Sequence, residues 1–216
     1  MLPSEREAPG ISVSGTGSAF GEPDVAVVSL GVEAQAGTVG EARTQAAERM
    51  DAMLKALKDG GVADEDIQTA RFFVQPVYDY SKQKQELIGF MVQNSVTVKF
   101  RNIDDTGKLI DAALAAGGDL ARVDSLTFTI DDPSTLQDQA RQEAMAEARR
   151  KAETLAEAAD VKLGRPRSIS ESGGPREIPF DVGAAAAREE LVQTPIELGQ
   201  LEVQVQVQVV YELEEP

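Results

Sequence analysis

Asp64, Glu65 and Asp66 follow the glycine pair Gly60–Gly61 and are the first place to look for a cation site. The run lacks the alternating oxygen ligands and the closing glutamate of a calcium loop. Acidic residues at this kind of position more often flank elements and stay solvated. Asp104–Asp105 and Asp131–Asp132 read the same way, as helix starts. The glycine-rich run GTGSAFG (15–21) lacks the Lys-Ser/Thr of a phosphate loop and the spacing of a dinucleotide fingerprint. Its glycines are expected to form a flexible turn between two strands. Thr16 and Ser18 are possible hydroxyl nucleophiles in type alone. The chain has no histidine to activate them and no cysteine for thiolate chemistry. Arg149, Arg150 and Lys151, with Arg165 and Arg167, are the densest basic residues. They suggest a local anion site or a complement to a helix dipole. Any enzymatic reading would rest on carboxylates, Tyr or Lys, and no spacing supports one. No catalytic residue, cofactor site or metal site is assigned.

The aromatic residues carry a stronger signal. Phe72, Phe73, Tyr78 and Tyr80 fall on one extended segment, and Phe90 falls on the segment that follows it. Neighbours in a strand point to opposite faces, so Phe72 and Phe73 cannot both enter one core. One is expected inside and the other under a helix, a ligand or another subunit. A second apolar knot, Ile178–Pro179–Phe180, lies in a Gly/Pro/Ala-rich stretch read as a linker or assembly arm (172–194), docking on its own domain or on a neighbour. Phe73, Tyr78, Tyr80, Ile178 and Phe180 are therefore the candidate interface residues.

The elements that position these residues follow from hydrophobic period. Apolar alternation marks strands at 11–17, 25–35, 67–80, 87–100 and 123–130, and again after residue 161. The closing LEVQVQVQVVYEL alternates throughout except at Val210, with a Gln-rich polar face. Its length and low charge predict a central or covered strand. Val39, Ala42, Ala46, Met50, Met53 and Leu57 form a helical stripe, opened by Thr38 and Glu41 in capping-box spacing and stopped at Gly60–Gly61. A second helix starts near Asp104, with Leu109, Ile110, Ala113 and Leu114 inward. A third starts at Asp132–Pro133, with proline at the first helical position. Its inward stripe is Leu136, Ala140, Ala144, Ala148, Ala152, Leu155 and Ala159. Pro76 marks an edge or a bulge.

The order is α+β: a mostly antiparallel sheet with helices packed on one side. Residues 25–130 read as a ferredoxin-like β-α-β-β-α-β unit. A flexible tail (1–10) precedes a single domain (11–216), in which 11–24 and 131–216 complete a second, discontinuous lobe. The chain has 216 residues and a formal charge of −16. That balance opposes binding to nucleic acid or anionic lipid. No apolar run is long enough for a transmembrane segment. The N-terminal residues do not form a signal peptide. Either the protein is cytoplasmic, or its export segment is absent from this sequence.

Several segments together resemble the SIMPL-domain family, the YggE-like bacterial envelope proteins. These are ISVSGTG, ALKDGGVADEDIQTARFFVQPVYDY, IGFMVQNSVTVKFRNIDDTGKLIDAALAAGG, ARQEAMAEARRKAETLAEAADVKLG and TPIELGQLEVQVQVQVVYEL, in order along nearly the whole chain. Phe90 stands where the family commonly has tyrosine, and Asp160 where glycine often ends the long helix. The resemblance implies a periplasmic or envelope-associated protein whose precursor carries a signal peptide. It also implies ring-like homo-oligomers and links to stress responses, and it does not imply an enzyme; the leading reading is a non-enzymatic, self-associating protein with a structural, binding or stress-related role. A small-molecule or peptide-binding module is the alternative, and a carboxylate-based enzyme a more distant one.

Overall fold

A computed structural model describes residues 10–80, 85–180 and 199–214, with 172–180 described through their backbone. The strands are β1 (Gly10–Gly21), β2 (Val25–Ala36), β3 (Ile67–Asp79), β4 (Glu86–Phe100), β5 (Ala121–Thr129), β6 (Lys162–Phe180) and β7 (Gln200–Glu214). The helices are α1 (Val39–Asp59), α2 (Thr106–Gly117) and α3 (Ser134–Ala158). The chain is α+β and divides into two compact units. One runs from Pro23 to Thr129. The other combines the chain up to Glu22 with the segments that begin at Ile130 and at Gly199.

In the Pro23–Thr129 unit the sheet order is β3-β4-β2-β5, with every neighbouring pair antiparallel. β4 therefore separates β2 from β3, the two strands that α1 connects. Ala26, Val28, Leu30, Val32 and Ala34 of β2 face the same way as Val92, Val96, Val98 and Phe100 of β4, and all are buried. Ala42, Ala46, Met50, Met53 and Leu57 of α1, with Leu109, Ile110 and Ala113 of α2, close the core from one side. Thr38 accepts the Glu41 N–H at 3.2 Å, as capping-box spacing predicts. Gly61 leaves α1 at φ 96°, and Val62 N–H returns to Leu57 O at 3.1 Å, closing a Schellman turn.

In the other unit the order is β1-β7-β6, again antiparallel. β7 is the central strand, and its Val203, Val205, Val207, Val209 and Tyr211 are buried. The inward stripe of α3 is Ala140, Ala144, Ala148, Ala152 and Ala156. It continues in steps of four past Ala152, so Leu155 is half exposed instead of inward. Pro133 is the N-cap and not the first helical residue, and Asp132 accepts the Ser134 N–H at 3.0 Å. Hydrogen bonding from the Ser134 side chain, then from its backbone N–H, holds the Asp132 carboxyl below its ordinary value.

Two further sequence expectations fail here. Residues 15–21 form no turn: Gly15 and Gly17 lie inside β1, where α3 crosses at backbone contact. A Cβ on Gly15 would sit 2.0 Å from Ala144 O, and one on Gly17 would sit 2.1 Å from Ala140 O. Glycine on the strand and alanine on the helix are what let the two backbones meet. The same approach lets α3 serve as the missing neighbour of edge strand β1. Ser18 N–H donates to Glu143 at 2.8 Å, Thr16 N–H donates to Glu147, and Lys151 donates to Ser14 O at 3.0 Å. Two strand residues span about 6.8 Å and four helix residues about 6 Å, so a period-four row of side chains stays in step with a period-two row of backbone groups. Such cover blocks edge-to-edge pairing. The second failure is the linker, because residues 172–180 continue β6 alongside β7. Register shifts near Pro166 and between Ser172 and Arg176 break the alternation that would have revealed them.

Candidate functional site

The β3–β4 hairpin is where the fold leaves apolar side chains uncovered. β3 is an edge strand with β4 as its strand neighbour. Phe72 pairs with Asn94 and Val74 with Val92, which places them on the helix-bearing face. α1 packs on β2 and β4 and stops short of β3. Phe72 is consequently 58% exposed. Phe73 pairs with Gln93 on the opposite, open face and is 47% exposed. The expectation that one of the two enters the core is thus corrected: both remain outside, because the helix layer does not reach the edge. Pro76 fits this edge position, since it offers no N–H to a ladder.

The apolar surface continues to the hairpin end. Tyr78 and Tyr80 sit with ring centroids 6.4 Å apart, tilted by 58°, and Leu87 and Ile88 of β4 are about half exposed. A register shift between Val77 and Tyr78 leaves Ile88 without a strand partner. Leu87 and Ile88 were missed in the sequence because Ile88 reads as the first residue of a buried alternating face. Next to Phe73, the open sheet face is polar. Ser29, Arg71, Gln93, Ser95, Arg122 and Asp124 line a shallow hollow of about 340 Å³. Arg122 is paired with Glu33 across the sheet.

Of the remaining interface candidates, Ile178 and Phe180 are in the backbone of β6, opposite Glu202 and Gln200. Their side chains lie outside the described residues, as does the stretch 181–194 of the expected linker. The acidic run is engaged: Lys58 pairs with Asp64 at 2.6 Å, and Arg101 grips Asp66 with two bonds of 2.8 Å. Among the described residues no group of carboxylates is placed to hold a metal ion. Among the described residues no helix is long and apolar enough to cross a membrane.

What the geometry defines is a two-unit α+β protein whose most conspicuous surface is an aromatic edge hairpin, with its acidic run tied into ion pairs. The chain belongs to the SIMPL family, described as a protein of unknown function (DUF541), which matches residues 11–211. It is 38% identical over 214 residues to the "26 kDa periplasmic immunogenic protein" of Brucella melitensis, covering 94% of this chain and 84% of that protein. It is 31% identical over 215 residues to the "Uncharacterized protein YggE" of Escherichia coli, covering 96% and 85%. The Edwardsiella ictaluri protein of the same name is 33% identical over 164 residues, covering 76% and 68%.

Proposed function

We propose that this chain is a non-enzymatic, self-associating protein of the bacterial periplasm with a structural role in the envelope, and that the β3–β4 hairpin is its contact surface. The observation that carries the reading is an edge strand with aromatic residues exposed on both faces. Phe and Tyr side chains bury about 150–250 Å² each, so half-exposed rings and aliphatics on this hairpin offer on the order of 600 Å² a side. A standard protein interface uses ~800 Å² per partner. A second copy is the occupant that fits, because an edge strand pairs readily with another strand and extends the sheet. The contrast with β1, whose edge is covered by α3, supports β3 as an edge kept open. The periplasmic placement draws on the printed name of the Brucella relative.

The chain has no cysteine, so one introduced thiol reports cleanly. A Gln75→Cys variant, oxidised at micromolar concentration, should form a disulfide between two copies, while cysteine at Gly40 on the exposed side of α1 should not. Equal cross-linking at both positions, or none at Gln75, refutes the hairpin as the contact.

A further inference from the structure

α3 is drawn onto β1 by the glycine–alanine contacts and packs only sparsely on β6. A cavity of about 450 Å³ lies between α3 and the start of β6, over the end of β7. Its floor is the ring of Tyr211, which is 4% exposed. Met145 of α3, with Leu163 and Pro166 of β6, forms the apolar walls. Arg149 and Glu153 of α3 and Arg165 of β6 stand at the rim.

The local strand geometry places Arg165. Leu163 pairs with Leu213 and Pro166 with Tyr211, so two residues, Gly164 and Arg165, oppose the single Glu212. This is a β-bulge, a device that re-aims a side chain out of the regular alternation. Arg149 is bound to Glu153 at 2.8 Å. Arg165 has no ion-pair or hydrogen-bond partner for its guanidinium among the described residues. The rim therefore holds two guanidinium groups against one carboxylate, a local positive excess on a chain of charge −16. Burial pushes the Tyr211 phenol above its ordinary value, so at neutral pH it remains an O–H donor.

The geometry points to this cavity as a binding site for a small organic monoanion, with its carboxylate on the Arg165–Arg149 rim and its apolar body against Met145, Leu163 and the Tyr211 ring. The volume lies at the low end for small-molecule pockets, which span ~300–1,000 Å³. The site is in the unit that does not contain the β3–β4 hairpin, so it stands or falls independently of self-association.

Octanoate is a suitable probe, with octanol and octylamine as its neutral and cationic counterparts. Methionine-methyl NMR on the full chain separates the readouts. Met145 lines the cavity, Met91 is on the hairpin strand β4, and Met50 and Met53 are in the other core. Octanoate should shift the Met145 methyl saturably and leave the other three in place. Octanol should bind about tenfold or more weaker, and octylamine more weakly still, because charge-assisted hydrogen bonds are lost. Arg165→Gln, at an exposed bulge, should weaken octanoate by a similar factor while Arg165→Lys retains part of the affinity. Ala146→Leu, which fills the cavity from the exposed side of α3, should also weaken it. The inference is overturned if millimolar octanoate leaves Met145 unmoved, if octanol binds equally well, or if Arg165→Gln or Ala146→Leu binds as tightly as the parent chain.

Discussion

Replacing Gly15 by alanine tests the packing of α3 on β1 in a way that runs against intuition. In an ordinary strand the change stabilises by about 0.5–1 kcal/mol, because glycine loses more backbone entropy on folding. Here the new Cβ would sit 2.0 Å from Ala144 O, 2.7 Å from Ala148 N and 2.9 Å from Ala148 Cβ. An acceptable C···O distance is about 3.3 Å, so the helix must retreat by more than ~1 Å. A gap of 0.5–1 Å already removes a quarter to a half of each dispersion contact, and overpacking of this kind costs about 1–3 kcal/mol. The retreat also stretches the bonds from Glu143, Glu147 and Lys151 to the β1 backbone. Together these give a net loss of about 3 kcal/mol. With a urea m-value of about 1–3 kcal/mol/M, the unfolding midpoint should fall by roughly 1–3 M. Gly40→Ala is the control: nothing lies within 4 Å of that Cβ, on exposed α1, and it should stabilise by up to ~1 kcal/mol. If Gly15→Ala leaves the midpoint unchanged or raises it, the close approach of α3 to β1 is wrong.

Two further predictions concern α3. Hydrogen bonding from Thr16 N–H, then from Lys151, holds the Glu147 carboxyl below its ordinary value. Its folded value lies below the unfolded value of about 4.3, so its contribution is complete above that pH and vanishes as pH falls through the lowered folded value. Glu147→Gln should flatten that acid limb in a denaturation series from pH 7 down. Asp160 follows α3 at φ 55°, the left-handed position of a Schellman turn in which Val161 N–H meets Ala156 O at 3.0 Å. Asp160→Gly should raise thermal stability by about 1 kcal/mol; a loss shows that the aspartate makes a compensating contact.

The helices were legible because their evidence is local. Thr38–Glu41, Gly60–Gly61 and the stripe from Ala42 to Leu57 lie within a few turns of each other, and the structure uses them as read. The central place of β7 was legible for a related reason, since a long uncharged alternating strand is a hazard at an edge. What failed depended on distant chain. Gly15 and Gly17 look like turn residues until Ala140, Ala144 and Ala148 arrive from more than a hundred residues away. The far half of β6 hides behind bulges that only β7 explains. Phe72 and Phe73 were recognised as incompatible with one core, but how far α1 extends over the sheet is not written in their own strand. The cavity at Arg165 was half visible: the basic residues stood out, while the bulge that brings Arg165 to Tyr211 did not.

Self-association through the hairpin is tested most directly by sedimentation velocity on the parent chain and Phe73→Glu across micromolar concentrations. Phe73 is 47% exposed, so a charge there leaves the core of the unit intact. The parent chain should sediment as an oligomer and Phe73→Glu as a folded monomer, because burying a carboxylate in an apolar contact is costly. A parent chain that stays monomeric throughout, or a Phe73→Glu variant with an unchanged oligomer, contradicts self-association through the hairpin.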